Sequence, residues 1–407
     1  MIVHGGTYAV GVSWPNRYDP LGGSGVRAAQ ALTFLDPVLV TAADTQSTAD
    51  LEEMFPGRTQ IAHRDRAVRF NYFTPLHRPE ITGGNAVVDT AGTASEAAFA
   101  LTFGMIERDQ LPVPRAETQV IDVQNPRHPT LEPLLAPEAR QVVLSVNRAE
   151  AAKLTGSANE LTAAAKLLDD PKVIGVIVKN GPLGAVVHTR ERRVVIGAYP
   201  TRTVWPIGSG DLFSAGVVGA MSLGADVVEA ARIGSAAAAL GSGAGIAAIP
   251  LEVLTGTALV RDDIDAATTP QERQPIIYLA APFFTLGQRW LVEFVRGQLI
   301  AMGARVFSPL HDVGTGGDEV AAADLDGLRG SDAVLALLDG WDPGTIYEAG
   351  WAHRHNIPVV GLLSTTASEE DKMLVGSGAE IHRHVASAIY RAIWIGNGAP
   401  VHAGRYA

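Results

Sequence analysis

The second half of the chain contains the run Ser331-Asp332-Ala333-Val334-Leu335-Ala336-Leu337-Leu338-Asp339-Gly340-Trp341-Asp342-Pro343-Gly344-Thr345-Ile346-Tyr347-Glu348-Ala349-Gly350, from which its fold class can be inferred. Its apolar run, Ala333 to Leu338, is typical of a strand buried in a parallel sheet. We expect Asp339 to Thr345 to form the loop at the carboxyl end of that strand, where open α/β sheets bind ligands. Glu348 then falls in the first turn of the next helix. The helix dipole favours an ionised carboxylate there, so Glu348 is a candidate nucleophile.

The composition is that of a globular protein with two domains. The chain has 407 residues, too many for one ordinary domain, and 47% of them are hydrophobic. A net charge of -11 argues against a broad surface for nucleic acid or anionic membrane, so we expect small-molecule partners. The absence of cysteine excludes disulfides, thiolate catalysis and cysteine zinc sites. The sequence shows neither a leader pattern nor an apolar run of about 18 residues, which predicts a cytoplasmic protein without membrane contact.

A polar segment separates the two halves. Residues 261–275 contain two prolines and few side chains able to pack, which indicates a linker. Residues 1–260 alternate Ala-rich helices with apolar runs that predict strands, among them Gln119–Val123, Gln141–Ser145 and Val173–Val178. A second alternating pattern occupies residues 276–396 and leaves residues 397–407 as a tail. Both halves are therefore predicted to be α/β domains.

Several motifs of the second half occur in the order found in one family. They are Ile277-Tyr278-Leu279-Ala280-Ala281-Pro282-Phe283-Phe284, Val306-Phe307-Ser308-Pro309, Asp324-Leu325-Asp326-Gly327-Leu328 and Asp342-Pro343-Gly344-Thr345-Ile346-Tyr347-Glu348-Ala349-Gly350-Trp351-Ala352. Over about residues 276 to 395 the chain resembles the nucleoside 2-deoxyribosyltransferases and their N-glycosidase relatives. The resemblance implies a smaller, flavodoxin-like domain with a parallel sheet.

The resemblance implies a role for each of four residues. Glu348 would attack the anomeric carbon of a nucleoside, and water or a second base would resolve the glycosyl-enzyme ester with retention. Asp324 would protonate the departing base, and Tyr278 would orient Glu348. Asp342 would receive the sugar 5'-hydroxyl, and its charge would repel a 5'-phosphate, which favours nucleosides over nucleotides. Elementary chemistry agrees, because a glycosidic bond needs one carboxylate at the anomeric carbon and another acid near the leaving group.

Gly344, Phe284 and Ser308 are further candidates for substrate contacts. Phe284, like Phe283 and Trp351, would either stack on a base or pack in the core. We expect no cofactor in this half.

Other polar residues of this half have simpler interpretations. Asp332 is expected to end a helix, with a purely structural capping or pairing role as one of two open alternatives. Asp326 and Asp339 are expected to be solvated loop acids. The histidines lack a convincing arrangement of metal ligands, so no metal is assigned to His311, His353 and His355.

The first half has its own glycine-rich signature, Trp205-Pro206-Ile207-Gly208-Ser209-Gly210-Asp211-Leu212-Phe213-Ser214-Ala215-Gly216. Glycines at a strand-to-helix turn let backbone N–H groups approach a phosphate, whose charge the following helix stabilises. Further motifs are Gly22-Gly23-Ser24-Gly25, Asn147-Arg148-Ala149-Glu150 and Lys179-Asn180-Gly181-Pro182-Leu183-Gly184. This ordered set resembles the ribokinase-like (PfkB) carbohydrate and nucleoside kinases over residues 1 to about 260.

The second resemblance implies a three-layer α/β/α domain that uses ATP and Mg2+. Asp211 would deprotonate the sugar hydroxyl that attacks the γ-phosphate, and Gly208, Ser209 and Gly210 would cradle the transferring group. The other residues implied for ATP or phosphate binding are Asn147, Glu150, Lys179 and Gly181. Glu150 would hold magnesium indirectly.

Three features depart from the kinase pattern. Trp205 and Pro206 stand where the family usually has Asp and Thr, beside a monovalent cation. Arg27 stands where an Asn typically contacts the sugar. Only 21 residues precede Gly22, which predicts that the usual β-strand lid is missing. Because kinases rely on closure to exclude water, such a domain needs help from another domain or subunit, or transfers slowly.

Three functions remain open at this point. The chain is a bifunctional glycosyl-transfer enzyme and kinase, an active glycosidase with a degenerate kinase-like domain that senses nucleotides or serves as a scaffold, or a non-catalytic ligand-binding regulator. The residues implied for glycosyl transfer are all present, which makes the third least favoured. The deoxyribosyltransferase resemblance also implies a homo-oligomer.

Overall fold

The computed structural model describes residues 1–89, 95–107, 110–124, 131–136, 138–245, 247–260, 263–269, 273–314, 316, 318–365 and 371–406. The chain forms two compact units. The first comprises Met1–Asn180, Gly184–Ile196 and Pro206–Arg261, and the second comprises Gly181–Leu183, Gly197–Trp205 and Asp262–Ala407. Two short segments that precede residue 260 therefore belong to the second unit.

The strands of the first unit are β1 (Ile2–His4), β2 (Tyr8–Val12), β3 (Arg17–Gly22), β4 (Val38–Ala43), β5 (Thr59–His63), β6 (Arg69–Tyr72), β7 (Glu80–Thr82), β8 (Glu96–Phe103), β9 (Arg115–Asp122), β10 (Gln141–Asn147), β11 (Val173–Lys179), β12 (Ala185–His188) and β13 (Arg193–Ile196). Its helices are α1 (Ser24–Ala31), α2 (Thr45–Met54), α3 (Arg148–Thr155), α4 (Glu160–Leu168), α5 (Ser209–Ser222), α6 (Val227–Ala244) and α7 (Leu251–Leu254).

A nine-stranded sheet forms the centre of the first unit, in the order β13-β12-β11-β10-β9-β8-β1-β4-β5. The strands from β11 to β5 in this order are parallel, and β12 and β13 are antiparallel additions at one edge. The three strands predicted from apolar runs are present as β9, β10 and β11. Because parallel strands end at the same edge of the sheet, Asp122, Asn147 and Lys179 all lie at that edge.

A second, four-stranded sheet of the first unit has the order β3-β2-β6-β7. The prediction that the chain lacks a β-strand lid is therefore wrong. Two of the strands do precede Ser24, but β6 and β7 come from residues 69–82, where the short alternation of exposed and half-buried residues gives a weak apolar signal. The sheet is assembled from parts of the chain that lie far apart in sequence.

Helix α5 carries the glycine-rich signature and packs closely on α6. A side chain at Gly216 would bring its Cβ to 2.9 Å from the Cα of Gly234, and one at Gly234 would come within 2.7 Å of the Phe213 carbonyl oxygen. The two glycines thus permit a close helix crossing. The residues from Leu212 to Met221 are all buried, which fixes the N-terminal turn of α5 at the edge of a well-packed core.

The second unit has the strands β14 (Ile276–Ala280), β15 (Arg305–Phe307), β16 (Ala333–Leu337), β17 (Val359–Leu362), β18 (Glu380–His382) and β19 (Gly404–Tyr406). Its helices are α8 (Leu286–Ala301), α9 (Asp318–Arg329), α10 (Pro343–Arg354), α11 (Lys372–Gly376) and α12 (Val385–Gly396). The sheet order is β15-β14-β16-β17-β18-β19, and every pair is parallel. The predicted tail therefore contributes the last strand of the sheet.

Residues 263–269 of the predicted linker pack within the second unit. The N–H of Asp265 donates to the carbonyl of Pro200, and the N–H of Thr268 donates to that of Ala198. Ile264 is buried and forms a bridge with Thr201. This segment is thus held by backbone hydrogen bonds that its polar composition did not reveal. Residues 261, 262 and 270–272 of the predicted linker lie outside the described residues.

Buried charges hold the end of the chain to the second unit. Arg391 donates from Nε and Nη2 to the two carboxylate oxygens of Glu380, and the N–H of His402 also donates to Glu380. These contacts lower the pKa of Glu380 to about 2, although burial opposes the change. Across the described residues, no helix combines the length and apolarity needed to cross a membrane.

Candidate functional sites

The best-defined contact of the second unit joins Tyr278 and Glu348. Tyr278 lies on β14 with its ring buried and stacked on Phe307, at 5.4 Å between ring centres. Its hydroxyl donates to Glu348 Oε1 at 2.7 Å. Burial raises the pKa of Tyr278, and the charges of Glu348 and Asp324 raise it further. The phenol therefore stays protonated and fixes one oxygen of Glu348.

Glu348 lies in the second turn of α10, so its predicted place in the first turn is wrong. The helix begins earlier because the side chain of Asp342 accepts the N–H of Thr345 and Pro343 occupies the first helical position. The helix dipole acts mainly within the first turn and is weaker at Glu348. Burial raises the pKa of Glu348 to about 7, and the charges of Asp324 and Asp342 add to this, while the hydrogen bond from Tyr278 opposes it.

Asp342 caps α10 and so has a structural role in addition to any contact with substrate. Its Oδ2 accepts the N–H of Thr345 at 2.8 Å and the hydroxyl of Thr345 at 3.0 Å. A Cβ at Gly344 would lie 3.1 Å from this oxygen, so Gly344 keeps the turn open beside the carboxylate. The loop after β16 therefore ends at Asp342, three residues earlier than predicted.

Asp324 lies on α9 and is the least satisfied acid of the site. Its Oδ1 is buried and has no hydrogen-bond partner among the described residues. Burial raises its pKa. This shift is in the direction that a proton donor to a leaving group requires.

The other substrate candidates of this unit are placed differently from one another. Ser308 is buried, and its hydroxyl is 3.0 Å from His311 Nδ1. Phe284 is 73% exposed and stacks on Phe283, so it is outside the core. Trp351 stacks on His355 at 3.6 Å between ring centres and packs against the core, so packing accounts for its position.

Three other acids have structural partners. Asp332 accepts hydrogen bonds from Nη1 and Nη2 of Arg273 and from the N–H of Ile276. It lies after α9, which ends at Arg329. Asp326 is on α9, where it pairs with Arg329 and is not in a loop. Asp339 accepts the N–H groups of Ser364 and Thr365, so it fixes the loop after β17 and is not a freely solvated acid.

The candidate phosphate turn of the first unit starts at Gly208. This residue has a φ of 88°, a left-handed conformation that favours glycine, and α5 begins directly after it with no side-chain cap. The N–H groups of Gly210 and Asp211 donate to no acceptor within the described residues. Free N–H groups at a helix N-terminus fit a phosphate. The residues present therefore suit a phosphate group.

Asp211 lies in the first turn of α5 with both carboxylate oxygens engaged. Arg27 Nη1 donates to Oδ2 at 3.0 Å, and Gln124 Nε2 donates to Oδ1. A Cβ at Gly208 would lie 2.6 Å from Arg27 Cδ, so the stem of Arg27 runs directly over the phosphate turn. Arg27, which stands at a sugar-contact position by resemblance, thus contacts the predicted catalytic base.

Lys179 also lies beside the turn, with its Nζ 3.7 Å from where a Cβ of Gly210 would be. It donates to Asp122 Oδ2 at 2.5 Å, and Ser214 donates to the same oxygen at 2.7 Å. Burial raises the pKa of Asp122 to about 6, although Lys179 opposes this. Asp122 was not predicted as a site residue. Its signal was an acid at the carboxyl end of an apolar run.

Asn147 and Glu150 form a reciprocal cap at the start of α3. Asn147 Oδ1 accepts the N–H of Glu150, and Glu150 Oε2 accepts the N–H of Asn147, both at 2.9 Å. This cap accounts for the three-residue spacing between Asn147 and Glu150. Glu150 Oε1 makes no hydrogen bond to a described residue. No group of three His, Asp or Glu side chains able to hold a metal occurs in the part of the chain that is described. Gly181, with a φ of 56°, belongs to a segment of the second unit.

Comparison with protein families matches both halves of the chain. Residues 115–251 match the model for the pfkB family of carbohydrate kinases, and residues 277–382 match the model for nucleoside 2-deoxyribosyltransferases. Both models describe enzymes. The two resemblances predicted from the motifs are thereby confirmed, as is the α/β class of each half. Comparison with curated protein sequences gives no match.

Solved kinases are similar to the chain at low identity. The ribokinase of Thermotoga maritima is 17% identical, with 63% of this chain and 98% of that chain covered and a TM-score of 0.46. Phosphofructokinase-2 from Escherichia coli, in a tetrameric inhibited form, is 14% identical with coverages of 63% and 99% and a TM-score of 0.44. The Burkholderia thailandensis nucleoside kinase in complex with inosine is 18% identical, with coverages of 59% and 90% and a TM-score of 0.39.

Proposed function

We propose that the second unit cleaves the N-glycosidic bond of a nucleoside and transfers the sugar to water or to a second base. The observation that carries this proposal is the 2.7 Å hydrogen bond from Tyr278 to Glu348. Asp324, whose buried Oδ1 has no hydrogen-bond partner among the described residues, is near enough to raise the pKa of Glu348. Such a pair of carboxyl groups supplies both a nucleophile and a proton donor. The match to the deoxyribosyltransferase model supports the same chemistry.

In the first step, Glu348 attacks the anomeric carbon as the bond from that carbon to the base nitrogen breaks. The free Oε2 is the attacking atom, since Tyr278 holds Oε1. Asp324 gives its proton to the departing base. Water or a second base then bonds to the anomeric carbon as the bond from that carbon to Glu348 Oε2 breaks. Asp324 takes up the proton that the attacking group loses, and the two inversions give net retention.

Substrate choice in this unit is assigned to the loop and helix around Asp342. Its carboxylate would accept the sugar 5'-hydroxyl with Oδ1, since Oδ2 is used by the cap. A 5'-phosphate would be repelled, so nucleosides are preferred over nucleotides. Gly344, Ser308 and the exposed Phe284 are the further residues assigned to substrate contacts.

The test is base release from ribo- and 2'-deoxyribonucleosides, with and without a second free base, followed by liquid chromatography. Glu348→Gln is expected to abolish release, and Asp324→Asn to slow it by about a hundredfold or more. Asp326→Asn is the matched control, because Asp326 lies two residues away on α9 and is exposed. Equal rates for Glu348→Gln and wild type would refute the proposal.

We further propose that the first unit phosphorylates a sugar or nucleoside with ATP. Asp211 would take the acceptor proton, and the turn at Gly208, Ser209 and Gly210 would bind the transferring phosphoryl group. Lys179 and the cap of Asn147 and Glu150 would assist, with Glu150 holding Mg2+ through water. Incubation with ATP, Mg2+ and a panel of pentoses and nucleosides tests this. Asp211→Asn is expected to abolish product, and unchanged product would contradict the assignment.

A second function for the first unit is favoured by the engagement of both Asp211 oxygens by Arg27 and Gln124. In that case the unit binds a nucleotide without turnover and serves as a sensor or scaffold for the glycosidase. Nucleotide binding by calorimetry without phosphorylated product would support this function. We also propose a homo-oligomer, to be tested by sedimentation velocity.

A further inference from the structure

Arg27 is built into the centre of the proposed kinase site. It follows the Gly22-Gly23 turn on α1, and its stem crosses Gly208. A Cβ at Gly22 would lie 3.1 Å from Arg27 Nη2, and a Cβ at Gly208 would lie 2.6 Å from its Cδ. Glycines on two separate segments therefore leave the space that this side chain fills.

We propose that Arg27 selects an acceptor that carries an anionic group, a phosphate or a carboxylate, over a neutral sugar or nucleoside. This inference rests on the proposed phosphoryl transfer by the first unit and names the class of its substrate. The transfer itself is unchanged: the acceptor hydroxyl loses its proton to Asp211, its oxygen bonds to the γ-phosphorus of ATP, and the bond from that phosphorus to ADP breaks.

Both carboxylate oxygens of Asp211 accept a hydrogen bond. Arg27 donates to Oδ2 and Gln124 to Oδ1, and a carboxylate paired with a guanidinium is a weaker proton acceptor than a free one. A neutral acceptor that displaced Arg27 would leave a guanidinium that is only 19% exposed without its counter-charge. An anionic acceptor supplies a new partner for the guanidinium, so an Asp211 oxygen is released at no loss of ion pairing.

The donors of Arg27 suit such a ligand. Among the described residues, only Nη1 has a hydrogen-bond partner, and Nε and Nη2 have none. A guanidinium presents its N–H groups as a planar fork that matches the oxygens of a carboxylate or phosphate. The free donors would bind the anion while the hydroxyl approaches Asp211.

Other charged and polar groups around Arg27 and Asp211 also influence the binding of an anionic acceptor. Lys179 lies on one side of Asp211, close enough for the Asp211 charge to help raise the pKa of Lys179. Tyr72 on β6 also faces the pair, and burial raises the pKa of its phenol. Asp19 opposes an anion, because its Oδ2 would lie 2.6 Å from a Cβ at Gly22. Asp19→Asn is therefore expected to tighten the binding of an anionic acceptor.

The experiment uses the full chain with ATP and Mg2+ and four acceptors: ribose, adenosine, ribose 5-phosphate and gluconate. The last two separate phosphate from carboxylate as the preferred anion. Wild type is expected to have a kcat/KM for at least one anionic acceptor about tenfold or more above that for the neutral ones. Arg27→Asn is expected to lose this preference, and Arg27→Lys to retain part of it. Arg115→Gln is the matched control, because Arg115 lies at the opposite end of β9 from Asp122.

A wild-type preference for neutral acceptors would overturn the inference, and so would an Arg27→Asn variant that changes all four acceptors by the same factor. A faster reaction of Arg27→Asn with neutral acceptors, without loss on anionic ones, would show a simple inhibitory contact and overturn it as well. If no acceptor is phosphorylated, the kinase proposal fails, and calorimetry then decides the present one. Ribose 5-phosphate or gluconate should bind wild type and not Arg27→Asn; equal binding to both proteins would contradict it.

Discussion

Replacing Glu348 with Gln should stabilise the second unit at high pH. Burial and the charges of Asp324 and Asp342 raise the pKa of Glu348 from 4.5 to about 7. A carboxyl group with a raised pKa supports the folded state below pH 4.5, and this support is lost as the pH rises through about 7. Each unit of pKa shift corresponds to about 1.4 kcal/mol, so the ionised side chain lowers the free energy of unfolding at pH 8 by about 3 kcal/mol. Gln carries no charge and still accepts the hydrogen bond from Tyr278.

Urea unfolding monitored by tryptophan fluorescence measures this effect. Five of the six tryptophans lie in segments of the second unit, so the signal reports mainly on that unit. The variant and wild type should have nearly equal free energies of unfolding at pH 4.5. At pH 8 the variant should be more stable by about 3 kcal/mol.

The exposed acid Asp326 gives the control. Asp326→Asn should not reproduce the gain in stability at pH 8, since its side chain is exposed and, among the described residues, pairs only with Arg329. A Glu348→Gln variant that is less stable than wild type at pH 8, or differs from it by the same amount at both pH values, would refute the reasoning on burial.

Three further outcomes are expected. The kcat/KM for nucleoside cleavage should rise with pH through about 7 as Glu348 ionises, and a profile flat from pH 5 to 9 would contradict this. Tyr278→Phe removes the hydrogen bond that lowers the pKa of Glu348, so the rising limb should move to higher pH; a limb that stays in place would show that the bond has no such effect. Gly208→Ala should destabilise the first unit by about 1–3 kcal/mol, because alanine is strained at a φ of 88° and its Cβ would meet Arg27 Cδ. Unfolding followed by circular dichroism would measure this loss. Gly57→Ala is the comparison, because Gly57 also has a positive φ but lies in open space.

The sequence predicted those parts of the fold that depend on local apolar runs. Strand β16 was expected from Ala333 to Leu338 and runs from Ala333 to Leu337. The start of α10 was predicted too late, because it depends on a single cap, the carboxylate of Asp342. The residue types in Asp342-Pro343-Gly344 are equally compatible with a loop and with a helix start. Local pattern alone does not show which polar side chain will bond the helix N-terminus.

Features built from distant segments were beyond sequence reasoning. The four-stranded sheet pairs residues 8–22 with residues 69–82, and neither segment has a long apolar run. The ion pair of Arg27 and Asp211 joins residues 184 positions apart. The order of the motifs indicated that Arg27 and Asp211 both belong to a kinase-like site. Only the folded chain shows that Arg27 donates a hydrogen bond to the carboxylate of Asp211.

For the second unit, motif order indicated which residues to examine, and the fold supplies their electrostatics. The structure places the Tyr278 hydroxyl on Glu348, while the raised pKa of Glu348 follows from burial and from two neighbouring acids. Burial depends on packing across α9, α10 and β14. A sequence reading based on the helix dipole therefore gave the opposite sign for the pKa.

We propose that Glu348 carries a covalent glycosyl ester during turnover. The most direct measurement is acid quenching of the protein during turnover of a nucleoside, followed by proteolysis and mass spectrometry of the peptide that contains Glu348. We predict that this peptide gains the mass of one sugar residue in wild type and gains nothing in Glu348→Gln. Base release that proceeds at the wild-type rate in Glu348→Gln, or a sugar attached to a different residue, would contradict the account.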